Sequence, residues 1–502
     1  MKQRTLLEGI PGKELSILLG VMVAALILDT YCLGCKSLWW DEGYTLAATQ
    51  QGWSEIANGL VSAGSNPLFL ILVRVWGAFG QGEAFIRALS VLPAVATVPA
   101  IYLLGRELFG AQTGLLAAGL ISINSFVVEF AQEARGYSLA LFLITLSSLL
   151  LVRAVKYPTR RKWMGYGVVT ILALATHIFA LGVVVAQLVA LAWTRPQTLK
   201  KDWVRTVLAT LLVLTPILAL PVLWFIFART GLRWIPTAGR ADLVIVPLTL
   251  AGQTQAFSRL IFLSPSGAVL LVTNAVAAIP LFLLSRDFMT KGRSPALWPH
   301  ALLVLWFAIP VVGSFVASFI FPMFLDRYLI VVVPAIALLT AVGLLRLPHR
   351  VLSGFALAVI CAIAVLSLRN YYEDAKEDWR GVAAHVQSHT ARDDGLILYT
   401  FGGANTFSYY ARRDPRPDPE FTYPYSGDTF DGSDIDRLFT LLRTDGIEHE
   451  RIWFITSHAP LEDSTERMSD EHIELRQLLY SNFRIVDREL FVGIKLELLQ
   501  RS

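Results

Sequence analysis

Two adjacent acids, Asp41 and Glu42, follow Leu38-Trp39-Trp40 and precede Gly43-Tyr44-Thr45. Such a pair can divide its work, one carboxylate accepting a proton from a hydroxyl while the other holds a metal or an arginine. The plainer reading is a helix N-terminus with acids in its first turn, where the macrodipole favours them. Glu133 and Arg135 lie in a second cluster, Glu129-Phe130-Ala131-Gln132-Glu133-Ala134-Arg135-Gly136-Tyr137. A structural ion pair would explain them; so would an acid facing the same cavity as Asp41 beside an arginine for an anionic group. Arg87, and Arg327 in Phe324-Leu325-Asp326-Arg327-Tyr328, also border apolar runs. Snorkelling accounts for either one alone, whereas several arginines converging on one cavity suit phosphate, which their planar forks bind in bidentate fashion. His177 is a candidate ligand or donor, with a satisfied helix-end histidine as the structural alternative. Tyr44, Tyr137 and Tyr328 neighbour these charges and join His177 as candidate substrate contacts. Glu42 and Glu133 are the candidates for holding a divalent cation, Mg2+ or Mn2+.

What must position these groups is a membrane. The 502 residues are 55% hydrophobic and 16% charged, against roughly 45–50% and about 25% in soluble domains. Apolar stretches recur from Leu15 to Leu368 and then stop. A helix needs roughly 20 residues to cross hydrocarbon about 30 Å thick, which predicts eleven spans near 15–34, 88–105, 111–128, 138–153, 163–176, 178–194, 205–227, 261–284, 300–320, 327–345 and 350–368. The fold class expected is a polytopic α-helical membrane protein with a soluble C-terminal α/β domain. Residues 1–368 form the transmembrane domain, with a first outer loop at 35–87, and 369–502 form the soluble one.

Charge sets the orientation. Residues 1–368 hold 14 acidic against 27 basic side chains and residues 369–502 hold 25 against 16, so the overall +4 is the sum of two unlike parts. The basic residues sit in short clusters between apolar runs, such as Arg153, Lys156, Arg160, Arg161 and Lys162. That pattern marks cytoplasmic loops and excludes the single basic face of a nucleic-acid binder. The N-terminus is then cytoplasmic, the first helix a retained span, and the soluble tail extracytoplasmic. The apolar stretch after Asn66-Pro67-Leu68, Phe69–Phe79, is too short to span comfortably and reads as a helix lying in the interface, with Trp53 and Trp76 at headgroup depth.

In the tail, GLILYT at 395–400, RIWFIT at 451–456 and Phe483–Leu498 read as strands, and Asp378–His389 and Asp434–Thr444 as helices. Cys361 reads as a buried small hydrophobe. Cys32 and Cys35 form a lone CxxC on an oxidising side, where a disulfide can form, and an isolated CxxC is weak evidence for a metal. No P-loop is present, which argues against an ATP-driven transporter, and no repeated halves with broken helices point to a secondary transporter.

Seven pieces in order, SLWWDEGYTLA (37–47), NPLFLILVRVW (66–76), IRALSVL (86–92), YLLGRELFG (102–110), FAQEARGYSL (130–139), THIFAL (176–181) and FLDRYL (324–329), carry a resemblance. Over roughly residues 15–368 the chain resembles the GT-C superfamily, in its bacterial branch of membrane glycosyltransferases related to protein O-mannosyltransferases and the lipid A aminoarabinose transferase. The resemblance implies transfer of a sugar from a polyprenyl-phosphate-linked donor to an acceptor glycan, lipid or protein outside the cytoplasm, with inversion, in a bacterial inner membrane. It maps the family's first-loop acids onto Asp41 and Glu42, an arginine before the second span onto Arg87, and a second-loop acid onto Glu133. Members commonly carry two prolines where this chain has Asn66-Pro67. A polyprenyl-linked substrate ligase and a membrane transporter are the competing classes. A reporter fused after Arg369 is expected to read extracytoplasmic, and a cytoplasmic signal would break the parity of eleven spans.

Overall fold

Apolar runs of this length have one solution in lipid, a helix that satisfies its own backbone. The computed structural model describes residues 10–50, 52–53, 67–194, 201, 204–205, 208–209, 238–239, 242–252, 297–320, 323–391, 393–399, 403–413, 449–457 and 470–502. Within them run α1 (Gly12–Thr30), α2 (Trp40–Gln50), α3 (Pro67–Trp76), α4 (Glu83–Phe109), α5 (Ala111–Ser122), α6 (Ser125–Ala131), α7 (Tyr137–Lys156), α8 (Arg160–Thr176), α9 (Ala180–Thr194), α10 (Asp242–Leu250), α11 (Trp298–Ala317), a 3₁₀ helix (Asp326–Val332), α12 (Val333–Arg346) and α13 (Arg350–Glu373). The tail adds α14 (Trp379–His389), β1 (Gly395–Tyr399), α15 (Gly403–Ala411), β2 (Arg451–Ser457), α16 (Asp470–Asn482), β3 (Phe483–Phe491) and β4 (Ile494–Arg501). The predicted spans 205–227 and 261–284, and the helix predicted at 434–444, lie almost wholly outside the described residues.

Among the described residues five helical stretches are long and apolar enough to cross a membrane: α4, α7, α11, the 3₁₀ helix with α12, and α13. The protein is a polytopic α-helical membrane protein. Two predicted spans are not straight helices. The run 111–128 breaks into α5 and α6, bent by 61°, because Asn124 caps a new helix by accepting the Phe126 and Val127 N–H groups at 3.0 and 3.1 Å. The run 327–345 begins as 3₁₀ and becomes α-helical where Pro334, lacking an N–H, sits at the start of α12.

Two units pack separately: Met1–Leu33, Ala57–Leu72 and Phe85–Glu373 form one, and Gly34–Ile56, Val73–Ala84 and Asp374–Ser502 the other. In the first, polar side chains buried among the helices are satisfied by one another. The Gln187 amide donates to Ser148 (3.0 Å) and accepts from the Tyr166 hydroxyl (2.9 Å), and Ser147 meets Thr170 at 2.8 Å, tying α7, α8 and α9 together. One end of this unit gathers charge: Tyr102 donates to Glu14 (2.6 Å), and Arg153 and Lys156 pair with Glu107 at 3.1 and 3.3 Å.

The opposite end of α1 is held by side chains. Gln132 Nε2 lies 3.2, 3.2 and 2.8 Å from the carbonyls of Leu28, Asp29 and Tyr31, while its Oε1 accepts the Tyr371 hydroxyl at 3.0 Å. Tyr372 donates to the Leu28 carbonyl at 2.7 Å, and Arg87 Nη1 to that of Leu33 at 2.8 Å. Cys32, at φ 57°, and Cys35 are disulfide-bonded, the possibility their oxidising side allowed, and Cys361 is free.

In the second unit the strands run in the order β1-β2-β4-β3, with β1 and β2 parallel and the other pairs antiparallel. Alternation sends Leu396, Leu398, Trp453, Ile455, Leu496 and Leu498 to one face against α14 and α15, and Ile397, Ile452, Phe454 and Leu499 to the other against α16. The predicted strand Phe483–Leu498 is a hairpin instead. Gly493, at φ 71°, takes the left-handed conformation that reverses the chain, and the two arms pair from Phe483↔Arg501 to Phe491↔Ile494.

Gln132→Leu removes the donor group from three carbonyls at the end of α1. Lost hydrogen bonds of this kind cost about 1–3 kcal/mol where the acceptor stays buried. The thermal midpoint in detergent should fall, with helical ellipticity at low temperature unchanged. An unaltered midpoint would refute the role assigned to this amide.

Candidate active site

In the first unit the sequence-predicted groups assemble at the end where Gln132 sits. Helix α4 presents Arg87 and Ser90 one turn apart, both buried. Arg87 holds the Leu33 carbonyl, and Ser90 donates to the Arg135 carbonyl at 3.1 Å. The turn after α6 is tightened by the Arg135 N–H donating to the Glu133 carbonyl at 2.8 Å. Glu133 is buried. The charges of Glu129, Glu133 and Arg87 all act on the Tyr371 phenol, which brings these residues into one electrostatic neighbourhood.

Beside it lies a ring cluster. His177, at the break between α8 and α9, packs against Tyr137, Phe179 and Tyr328 with centroids 5.6, 5.7 and 5.7 Å away. Phe179 and Tyr328 meet at 5.2 Å, and Phe130 meets Tyr137 at 4.8 Å. Two cations flank the cluster: Arg135 lies over the Tyr137 ring and Arg327 over the Tyr328 ring, each at 5.8 Å. Arg135, Arg327 and Tyr328 are half-buried.

His177 is therefore neutral. Burial, with the positive charges of Arg135 and Arg327 added to it, lowers its pKa to about 3. The Phe179 N–H donates to Nδ1 at 3.3 Å, so Nδ1 is the acceptor and the ring proton belongs on Nε2. Two guanidiniums beside an uncharged imidazole and two phenols form a place where an anion would meet positive charge.

Asp41 and Glu42 belong to the second unit. They occupy the first turn of α2 rather than an irregular segment, and both are buried. The Glu42 carboxylate reaches back to the Trp39 N–H at 3.4 Å, half of a capping box. Thr45 donates to the Asp41 carbonyl at 3.2 Å. Tyr44 is half-buried. Among the described residues no group of three or more His, Cys, Asp or Glu side chains is arranged to hold a metal ion.

Residues 68–225 match the family model described as dolichyl-phosphate-mannose-protein mannosyltransferase. A comparison with curated proteins finds no match. Among solved structures, ArnT from Cupriavidus metallidurans in the apo state is 15% identical, with a TM-score of 0.60 over 97% of this chain and 98% of that one. The same enzyme bound to undecaprenyl phosphate is 14% identical, with a TM-score of 0.57 over 98% of both chains. The two share one fold with this chain. The archaeal oligosaccharyltransferase AglB from Archaeoglobus fulgidus, in complex with an inhibitory peptide and a dolichol-phosphate, is 14% identical with a TM-score of 0.51, over 89% of this chain and 69% of that one.

Sequence reasoning passed over Gln132, Ser90, Tyr371 and Phe179. Gln132 stands inside the EFAQEARGY segment that supplied Glu133 and Arg135, and its place between two charged residues was the available signal. Ser90 follows Arg87 at helical spacing. Nothing local marked Tyr371 or Phe179.

The neutral His177 makes a pH prediction whose sign follows from linkage. An unfolded histidine titrates near 6.5 and the folded one at about 3. Above pH 6.5 neither state binds the proton. Below it the unfolded chain gains a proton that the folded chain refuses, so stability is lost as pH falls from about 6.5 toward 3, by up to a few kcal/mol. Thermal midpoints across this window should fall more steeply for the wild type than for His177→Phe; parallel slopes would contradict the assignment.

Proposed function

We propose that the protein is a GT-C-type glycosyltransferase that transfers a sugar from a polyprenyl-phosphate-linked donor to an acceptor outside the cytoplasm. The observation that carries this reading is the pair Arg135 and Arg327 set around the neutral His177 and the rings of Tyr137 and Tyr328. The fold shared with ArnT, seen with undecaprenyl phosphate, and with AglB, seen with a dolichol-phosphate, supports it. So does the match of residues 68–225 to the mannosyltransferase model.

The chemistry divides between the two sets of residues. Asp41 accepts the proton of the acceptor hydroxyl as its oxygen attacks the anomeric carbon. The bond to the carrier's phosphate oxygen breaks from the opposite face, and the configuration inverts. The leaving polyprenyl phosphate is an anion with low basicity, so it needs positive charge more than a proton. Arg135 and Arg327 supply that charge, and a low-dielectric setting strengthens it. The neutral His177 takes no proton from the leaving group; it packs between the rings and offers Nε2–H as a donor. Arg87 adds its charge while fixing the start of the first outer loop. Glu133 stands as the second acid, orienting the acceptor.

Eleven spans, a cytoplasmic N-terminus and an extracytoplasmic C-terminal domain complete the proposal. It is supported by basic connectors such as Arg153–Lys162 and by disulfide-bonded Cys32 and Cys35. The interfacial reading of α3 is supported by its exposed Ile71 and Val75.

Purified wild type in proteoliposomes should release polyprenyl phosphate from a synthetic polyprenyl-phosphate sugar when acceptor is present. Asp41→Asn should lower turnover by about 10²-fold or more, and Arg135→Ala should lower kcat/KM for the donor by at least about tenfold. Undiminished turnover in a folded Asp41→Asn protein would remove Asp41 as the base.

A further inference from the structure

Resting on that functional reading, we infer that α15 of the C-terminal α/β domain positions the helix carrying Asp41 and Glu42, with Tyr410 as the positioning residue. The contacts all lie within the second unit. The Tyr410 hydroxyl accepts the Leu38 N–H at 2.8 Å, meets the Ser37 hydroxyl at 3.3 Å, and donates to the Glu83 carboxylate. One oxygen thereby ties the start of the first outer loop to its end. Glu83 is also paired with Arg380, which donates to the Gly34 carbonyl at 3.0 Å and whose N–H reaches the Ser37 hydroxyl at 3.2 Å.

Two further residues of α15 repeat the pattern. Thr406 donates to the Trp39 carbonyl at 3.4 Å, and Tyr409 to the Gln81 carbonyl at 2.8 Å. Lys376 lies 5.7 Å from the Trp39 ring. Gly43, directly after the acids, sits so close to α15 that a Cβ there would come within 2.8 Å of the Thr406 backbone nitrogen. Only a glycine at this position lets the two helices meet. Leu38 is wholly buried.

The consequence is directional. Helix α2 begins at Trp40, and three polar backbone groups just ahead of it are engaged: Leu38 N–H by Tyr410, Trp39 N–H by Glu42, Trp39 C=O by Thr406. The first turn, and with it the Asp41 carboxylate, is set by α15 rather than by the loop's own sequence. A base displaced by about 1 Å loses rate far more than affinity. The bond network is also selective for the neutral phenol: burial and the Glu83 carboxylate push the Tyr410 pKa up, so it remains a donor to Glu83.

The test uses full-length Tyr410→Phe, which removes one oxygen, and Gly43→Ala, which removes no polar group and presses a Cβ against Thr406. Both variants should lower kcat about tenfold while KM for the polyprenyl-phosphate sugar stays within twofold. Hydrogen exchange of a peptide spanning 38–47 should accelerate about tenfold in both, with exchange in β2 and β4 unchanged. A merely structural loss would instead raise exchange throughout the domain. Unchanged exchange at 38–47 in both variants overturns the clamp, and accelerated exchange with unaltered kcat overturns the positioning role. If the wild type turns over no polyprenyl-phosphate sugar, the functional reading falls by itself, and the exchange data still decide whether α15 holds the helix.

Discussion

Backbone carbonyls at the end of a membrane helix cannot be left bare, and in the first unit this single requirement organises the site. Helix α1 ends at Thr30 and exposes the carbonyls of its last turn and of the segment that follows. Gln132, Tyr372 and Arg87 meet this demand from α6's exit, α13 and α4. The residues that flank Gln132 are therefore fixed in place: Glu133 is buried, and Arg135 is held through its carbonyl by Ser90. A short polar motif between two spans thus serves the fold and the chemistry together.

The ring cluster follows from the same economy of polar groups. A histidine placed at the break between α8 and α9 must either be charged and solvated or neutral and satisfied. With Arg135 and Arg327 nearby, protonation would add a third positive charge in a buried setting, and the neutral form wins. The two guanidiniums stay charged beside it, over the Tyr137 and Tyr328 rings. The proposed anion-receiving role fits this arrangement better than a proton relay, in which a histidine poised near neutrality would be needed.

Much of the bundle was legible because the crossing rule is strict: α1, α4, α7, α8, α9, α11 and α13 fall on predicted spans. What failed was continuity. The Asn124 cap and Pro334 were visible as residues, but hydropathy averages over them, and only the local hydrogen bonds of a cap or a missing N–H decide a break. The hairpin at Phe483–Arg501 was read as one strand, cut short at Leu498, because Val492-Gly493 is a two-residue turn between two β-prone arms and interrupts the apolar pattern little. Arg87, Glu133, Arg135, His177 and Arg327 stood out as candidates because polar groups beside apolar sequence are conspicuous. Phe179, Tyr371 and Gln132 were not, since their importance lies in what they touch.

The hold of α15 on α2 was the least legible feature. Ser37 and Tyr410 are separated by 373 positions, and GANTFSYYA carries no pattern that distinguishes it from any short surface helix. Yet the pairing explains an otherwise odd local sequence. Glycine is a poor choice within a helix, costing about 1 kcal/mol against alanine, and Gly43 sits one residue past two buried acids. Its cost is offset only if the missing side chain permits something, and the close approach of Thr406 is what it permits. The chain leaves the first unit at Leu33, whose carbonyl is held by Arg87, and enters the second at Gly34, whose carbonyl is held by Arg380. Successive peptide groups are thus anchored each within its own unit, so the acids of α2 take their position from the soluble domain and not from slack in the loop.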